Sequence, residues 1–560
     1  MGVPLLWSKL RRSFSSSVIS QRYNYESWKT IECDTLGIDL NAIIHPICQK
    51  EYGYGGDDSS ILSNSNYTVE LPTHNKIYKL VVAKVKEYVR IAKPKQYLIC
   101  AIDGTAGLSK CNQQRQRRYK SAMTPHPNFN SSHISTGTLF MEECSKYIEK
   151  KLPYIFPNLK IIFSGHRCPG EGEHKIIKAI RQIDTQTNII LSPDADIILL
   201  GMTLIQRSNA TNISVDNILL SVDNNKDQSS SSLGNRNIMM YRPDNRYGDT
   251  LMNLNEVLNG LENQVATTNF LNDFIVITSM LGNDFIPNVP SLELHNDGME
   301  CLLSVYKEYI ETNPPIVKRI RNKNRITQEN FHTFISLLAQ REESLFTSKV
   351  TKNRPMFPDS VLLESVTNAN SKQFVNLKDY KELYYERRLE NAIPATVAYE
   401  YYKGMCFVLS YYTETMPDWN WSYPYHYAPL LHDLSSLTAT KEKIKIKFNR
   451  TKPLLPLEQL VMVIPSQSKM LVPECFHELL DTADNIRTDQ EGKYADWDMK
   501  ILLPHIDVKD MKEKYTSIVG QLKRTSKQKP EQVLTSEEII RNSIDHSWLI
   551  YKGNKTHIQL

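Results

Sequence analysis

The sequence predicts an α/β fold: a mostly parallel sheet with helices on both faces, and a second, helical and aromatic-rich region packed on it. Three observations carry this. Short apolar runs with β propensity recur at 31–39, 96–102, 161–163 and 189–191. Stretches with apolar residues at helical spacing separate them, such as Ile77 to Ile91 and His174 to Ile183. The runs lead into acids: Asp39, Asp103 and, just past Leu191, Asp194. Buried strands alternating with helices form parallel sheets, and such sheets collect ligands at the carboxyl ends of their strands.

Taken in order, the chain opens with 22 residues that contain arginines and serines but no acid. Two readings fit them: a mitochondrial transit peptide, or an amphipathic helix of the fold with Leu5, Leu6, Leu10 and Phe14 on its apolar side. After Asp39 the chain turns through Asn41 into a helix. Residues 53–66 are rich in Gly, Ser and Asn and predict a surface loop. Pro94 ends the helix of 77–91, and the next strand closes on Asp103-Gly104. A basic helix comes after it, KCNQQRQRRYK at 110–120. Pro169, Gly170 and Gly172 punctuate a turn between the strand 161–163 and the helix 174–183. Residues 203–240, with the run SSSSLGN, predict a long surface insertion. The apolar stretch 270–287 runs into Gly282-Asn283-Asp284. Helices are expected at 301–310, 331–343 and 378–391, in a charged stretch that projects from the core. From 396 an amphipathic helix leads into a Tyr/Trp/Pro-rich irregular segment, read as core or interface packing. Residues 440–452 read as a strand in which lysines alternate with Ile444, Ile446 and Phe448. The tail after 520 is basic and holds a short helix at 536–542.

Composition narrows the class. The 560 residues are 41% hydrophobic and 23% charged, as in an ordinary globular protein of more than one domain. No apolar run reaches membrane-spanning length, so no membrane partner is expected. A net charge of +5 is too small on this length to name a partner. The nine cysteines show no CxxC pairing and read as free thiols of a reducing compartment.

Two constellations carry chemistry. Glu171 and Glu173 precede the helix 174–183, and Asp194 and Asp196 follow the strand 189–191. Side chains at i and i+2 of extended backbone point the same way. Four converging carboxylates repel, and some stay protonated unless a cation joins them. A hard divalent ion such as Mg²⁺ takes oxygen ligands. His166, Cys168 and His174 lack the paired spacing of a zinc site. The second constellation is the helix 110–120, with Lys110, Arg115, Arg117, Arg118 and Lys120, no acid, and the amides of Asn112, Gln113 and Gln114. A guanidinium matches phosphate geometry, although a solvated helix face is the common use of such a run. Cations to hold one phosphate beside an acidic metal cluster to cut the next would suit a phosphodiester substrate.

These residues resemble the Xrn-type 5′–3′ exoribonucleases over nearly the whole chain. The start MGVP is similar to that family's N-terminus, which favours the helix reading of the first residues. GIDLNAIIHP (37–46) resembles DMNxIIHP. AIDGTAGLSKCNQQRQRRYKSA (101–122) resembles AIDGxAPxxKMNQQRxRR. FSGHRCPGEGEHKII (163–177) is close to the family pattern throughout. SPDADIILLG (192–201) resembles LDADLIMLG, and LGNDFIPNVPSLEL (281–294) resembles GNDFLPHLPSLEI. The segments 419–434, 451–473 and 492–507 look like blocks of the family's second region. Departures are Gly107 where Pro is usual, Cys111 where Met is usual, and Ser192-Pro193 before the acids.

The resemblance implies a PIN/flap-nuclease-like core at 1–300, a helical charged connection at 301–395, the second helical region at 396–515 and a basic tail at 516–560. It implies that Asp39, Asp103, Glu171, Glu173, Asp194, Asp196 and Asp284 are catalytic and bind two Mg²⁺ or Mn²⁺ ions. It implies a 5′-phosphate pocket of Lys110, Gln114, Arg117 and Arg118, and base stacking on His45 and Trp497. The expected activity is processive two-metal hydrolysis of single-stranded RNA from a 5′-monophosphate end, releasing 5′-mononucleotides. Decapping factors are the protein partners that family analogy suggests. The expected residence is cytoplasmic, with VKRIRNKNR (317–325) as a competing nuclear signal. The chain is compact beside members with long C-terminal extensions, which suggests a reduced or viral member. The alternatives are a flap-type DNA endonuclease, disfavoured because FIPNVPSLELHND after Asp284 lacks a Gly-rich hairpin, and an inactive RNA-binding protein, disfavoured because all seven acids are present.

Overall fold

The structure, a computed structural model, describes residues 3, 5–54, 73–122, 129–210, 236–244, 248–294, 297–352, 355–369, 372–480, 486–494, 499–525, 543–545, 547–552 and 554–559. Most of the loop expected at 53–66, the middle of the insertion, the short helix at 536–542 and Trp497 lie outside these residues.

Nine strands form one sheet: β1 (Val18–Ser20), β2 (Cys33–Asp39), β3 (Pro94–Ala101), β4 (Lys160–Ser164), β5 (Thr187–Leu191), β6 (Asn237–Arg242), β7 (Thr250–Asn253), β8 (Ser547–Lys552) and β9 (Asn554–Gln559). Their order is β1-β7-β6-β5-β2-β3-β4-β8-β9. The central run β6-β5-β2-β3-β4 is parallel. Antiparallel strands finish both edges. The central strands are buried almost throughout, which is why they read as continuous apolar runs. Pro94 fits as the first residue of its strand, where its missing N–H interrupts little.

The helices that build the core and the site are α1 (Leu6–Ser13), α2 (Asn41–Tyr52), α3 (His74–Ala92), α4 (Leu108–Ala122), α5 (Leu139–Ile155), α6 (Gly172–Gln182), α7 (Asp196–Ala210), α8 (Leu254–Gln264), α9 (Leu271–Ser279), α10 (Gly298–Ile310), α11 (Gln328–Ala339), α12 (Pro394–Thr413), α13 (Pro456–Val463) and α14 (Val508–Thr525). One face of the sheet is covered by α2, α3 and α5, through Ile43, Val81, Val85, Phe140 and Ile148. The other carries α1 and α6–α9, and its core continues without a break into α10, α11 and α12. A third cluster joins α4 to α13 and α14, through Leu108, Cys111, Leu457, Leu460, Val461 and Tyr515. Gly37 of β2 lies directly under Ile176 of α6; a side chain there would collide with it.

Several expectations are corrected. Leu5 stands outside α1 with positive φ and is exposed, while Leu6, Trp7 and Leu10 are buried. The insertion 203–240 is shorter than expected, because α7 and β6 take both its ends into the fold. The helix expected at 331–343 is two, α11 and a second at Glu342–Lys352. The stretch after 300 does not project as a whole: Leu302, Tyr306, Phe331 and Phe334 of α10 and α11 belong to the main core. Residues 440–452 form no strand, because no neighbouring strand pairs with them, though Ile444, Ile446 and Phe448 do turn inward. The tail, expected to be basic with a short helix, supplies the end of α14 and the last two strands of the sheet, β8 and β9.

Candidate active site

The carboxyl ends of β2, β3 and β5 deliver three of the acids. Asp39 is the last residue of β2 and accepts the Asn41 N–H at 3.0 Å. Asp103 follows β3; its N–H donates to the Asn41 amide oxygen at 3.1 Å. Asp194 follows β5, its N–H held by the Ser192 hydroxyl at 3.1 Å. The start of α6 adds Glu171 and Glu173, and the start of α7 adds Asp196. Gly172 lets them meet. Its N–H donates to Asp103 Oδ1 at 2.7 Å, and a β-carbon there would stand 2.8 Å from Asp39 Oδ1. Asp284 comes from the turn after α9, where Asn283 accepts the N–H groups of Phe285 and Ile286.

All seven predicted acids thus converge. Oxygens of Glu171, Glu173 and Asp196 lie within 4.8 Å of one another. Asp39 is close enough to Asp103, Asp194 and Glu171 for their charges to bear on it. Asp39, Glu173, Asp196 and Asp284 are buried, and Asp103, Glu171 and Asp194 are half-exposed. Burial, then neighbouring acids, holds the Asp39 and Glu173 carboxyls well above the ordinary range. Burial pushes Glu171 up to about 7, against the pull of Lys110. Asp284 is buried too, and burial alone would raise its carboxyl, but the Lys110 ammonium together with the other positive charges near it, Arg117 among them, holds it low.

The structure places the Lys110 ammonium among the carboxylates: 2.5 Å from Asp284, 3.0 Å from Glu171 and 3.2 Å from Asp196. Burial opposes its charge, but those three acids hold it well above the ordinary lysine value. Gln113, on the same face of α4, donates to the other Asp284 oxygen. Farther along that face lie Gln114, Arg117 and Arg118, the spacing i, i+4, i+7 and i+8 from Lys110. Arg117 is exposed, and both it and Arg118 act on His45 of α2. Arg118 is buried, its guanidinium bonded to the Ser135 hydroxyl at 2.8 and 3.0 Å and turned toward the Ile134 carbonyl. His45 is half-buried; burial, then Arg118 and Arg117, pushes its pKa down to about 4, so the ring is neutral at pH 7. Arg115 faces away and donates to the Pro504 carbonyl at 2.6 Å. Trp497 lies outside the described residues.

Other contributors carry no sequence signal of their own. Tyr412 of α12 donates to Asp196 Oδ1 at 2.5 Å, and Tyr411 stands against Glu171 and Lys110. The Ser192 hydroxyl donates to Glu173 at 2.5 Å. Gln459 of α13 accepts the Ala106 N–H at 2.7 Å and donates to the Gln114 side chain at 3.3 Å. The second region therefore completes the site and straps α4. Adjacent tyrosines in an apolar helix read as packing, and nothing local in the sequence marks a partner more than two hundred positions away. Gly107 lies against Met416, whose methyl would stand 2.9 Å from a β-carbon there, and the Leu108 N–H donates to the Trp419 carbonyl at 2.8 Å.

The donor set fits hard divalent cations. It is all oxygen, its acids exceed the lysine beside them, and burial holds the carboxyls of Asp39, Glu171 and Glu173 above their ordinary range, a shift that a bound cation would oppose.

The family model described as XRN 5′–3′ exonuclease N-terminus matches residues 1–128 and 124–211, and the model described as Xrn1 helical domain matches 264–379 and 365–558. The chain is 25% identical to 5′–3′ exoribonuclease 1 of Homo sapiens, covering 94% of this chain and 35% of that protein. It is 25% identical to 5′–3′ exoribonuclease 1 of Schizosaccharomyces pombe, covering 97% and 50%. It is 24% identical to the 5′–3′ exoribonuclease 2 homolog of Drosophila melanogaster, covering 100% and 74%. The chain thus spans a third to a half of the length of the first two relatives. A solved structure of the catalytic core of Rad2 in complex with DNA is similar at a TM-score of 0.33 and 9% identity, over 69% of this chain and 95% of that one. At that level the likeness says nothing about substrate.

Proposed function

The chain belongs to the Xrn 5′–3′ exonuclease family, and from that premise we propose that it hydrolyses single-stranded RNA one nucleotide at a time from a 5′-monophosphate end. The convergence of seven carboxylates at one end of the parallel sheet, with a cationic helix rising from it, is the observation that carries this reading.

Asp39, Asp103, Glu171, Glu173, Asp194, Asp196 and Asp284 would hold two Mg²⁺ or Mn²⁺ ions. Such ions supply charge neutralisation at the scissile phosphate and ease deprotonation of the attacking water. Asp103, Glu171 and Asp194, less deeply buried than the other four acids, are the ones a substrate can approach. Lys110 keeps one positive charge at the floor of the cluster, and Tyr412 and Ser192 orient Asp196 and Glu173. Arg117 lies two turns up α4, about 10 Å along the axis at 1.5 Å per residue. Its long side chain and that of Gln114 can reach back toward the acids, so the two would grip the terminal phosphate while the next phosphodiester lies over the acids. A neutral His45 beside Arg117 offers its face to an unpaired base. Water oxygen adds to the phosphorus, the bond to the 3′ oxygen breaks, and a 5′-mononucleotide leaves. The remaining strand then carries a new 5′-monophosphate, which the same groups grip, and this repetition is the basis of processivity.

Among the described residues no helix is long and apolar enough to cross a membrane. Among the described residues no disulfide joins the cysteines.

The test compares one single-stranded RNA bearing a 5′-monophosphate, a 5′-triphosphate or a 5′-hydroxyl, with Mg²⁺ and with EDTA. Rapid decay of the monophosphate form alone, stopped by EDTA, is expected. Equal decay of all three would make an endonuclease the better reading. Binding without decay would favour an RNA-binding protein.

A further inference from the structure

Two cationic segments stand outside the site, and the fold brings them together. The first, 440–452, lies beyond α12 as an irregular strap whose burial alternates. Ile444, Ile446 and Phe448 turn inward on the main core, with the Phe448 ring 5.7 Å from Phe407 and 6.1 Å from Trp421. Lys441, Lys443, Lys445 and Lys447 therefore point outward, and all are exposed. The chain bends at 441–442, where Glu442 is also exposed; from Lys443 to Lys447 the alternation is regular, and at 3.3 Å per extended residue successive lysines there are about 6.6 Å apart.

The second segment is the hairpin of Val317–Ile320 with Lys323–Ile326, which exposes Lys318, Arg319, Arg321 and Lys323. Gln328 joins the two. It lies just past the hairpin, its side chain accepts the Ile444 N–H at 2.8 Å, and its amide donates to the carbonyls of Thr440 and Glu442 at 3.0 and 3.1 Å. The other end of the strap runs toward the site. Asp418 holds the Asn449 N–H at 3.0 Å and the Thr451 hydroxyl at 2.6 Å, and next to it the Trp419 carbonyl receives the Leu108 N–H at the start of α4.

None of these eight cations makes an ion pair among the described residues. Elsewhere on the surface Arg387 pairs with Glu364, Lys95 with Glu32, Arg341 with Glu308 and Arg487 with Glu390. Unpaired like charges held side by side repel, and the apolar face of the strap would seat equally well with neutral residues between. A polyanion removes the repulsion.

We propose that this comb and hairpin form a second contact for the phosphate backbone of single-stranded RNA, outside the cleft, that holds the body of a long substrate while its 5′ end is in the site. The proposal rests on the reading of the active site as one for RNA. The even spacing favours a repeating polyanion over an acidic protein, and the strap's path to α4 favours one already engaged in the cleft.

The test uses the whole chain, wild type and Lys443→Gln/Lys445→Gln/Lys447→Gln, with 5′-monophosphate RNAs of about 6 and about 40 nucleotides, lengths that span the usual single-strand site sizes. Binding is measured in EDTA across salt concentration, and hydrolysis of the short RNA in Mg²⁺. With about 0.7 counterion released per contact, the variant's salt slope on the long RNA should be shallower by about 2. Binding and hydrolysis of the short RNA should be unchanged. A control removing three exposed cations of α3 (Lys79→Gln/Lys86→Gln/Arg90→Gln) should leave the slope intact. An unchanged slope in the comb variant, an equal loss on short RNA, or an equal loss in the control overturns the proposal. So does unaltered RNA binding with lost binding of a polyglutamate peptide, which would make the comb a protein-docking surface. If the wild type degrades short RNA normally while the comb variant binds long RNA normally, the comb assignment alone falls. If the wild type binds neither RNA, the RNA reading falls with it.

Discussion

Lys110 is the residue on which the site's electrostatics turn. Three carboxylates face its ammonium, and removing a partner from a buried ionic cluster commonly destabilises by about 3–5 kcal/mol. Lys110→Met should therefore lower stability by that order in EDTA, measured by denaturant unfolding. Added Mg²⁺ should recover much of the loss, since a bound cation meets the same acids. Glu171 gives the pH dependence. Its folded pKa near 7 lies above the ordinary value of 4.5, so between those values the folded state holds more protons than the unfolded one. Its stabilising contribution is complete below pH 4.5 and is lost as pH rises through 7. Asp39 and Glu173 shift in the same direction. In EDTA, the Tm of the wild type relative to Glu171→Gln should fall from pH 6 to pH 8, a comparison in which the buried histidines cancel, and Mg²⁺ should flatten or reverse that trend. At this scale the sequence is partly legible. The acids stand at strand ends and helix starts, where local pattern can find them. Spacing groups Lys110 with its helix neighbours, because it names a face and not what that face meets.

The helix α4 is set by what straps it. Gln459 satisfies the Ala106 N–H before the helix and the Gln114 amide within it. Gln459→Leu should leave that buried N–H without an acceptor, at about 1–3 kcal/mol, and free Gln114. The expected kinetic result is a raised KM for 5′-monophosphate RNA with a smaller change in kcat, read from initial rates over a substrate range. Elements with buried, continuous apolar sequence, such as β2, β3 and β5, are legible because their burial is written in consecutive residues. The strap 440–452 reads as a strand and is not one, because alternation records which side is buried and not whether a strand lies alongside. Tyr412 is hidden for a related reason: α12 is apolar nearly all round, so no face of it announces the acid it touches.

The molecule as a whole is closed by its last strands. Leu549 pairs with Phe163 and Tyr551 with Ile161, and Arg167 fastens the approach through the Ser543 hydroxyl at 2.9 Å and the Asp545 N–H at 3.2 Å. Deleting 543–560 should bare the β4 edge, an unpaired apolar strand, and bring concentration-dependent association seen by light scattering. Composition sets the tail apart in the sequence, because pairing between distant segments leaves no local pattern. That same pairing bears on how the chain is made. Synthesis adds roughly 5–20 residues per second, so β4 emerges from the ribosome tens of seconds before β8 exists to cover it. Through that interval the nascent protein offers a β edge to any neighbouring chain, and a holding chaperone or slow, dilute expression would govern its yield more than the stability of the finished fold.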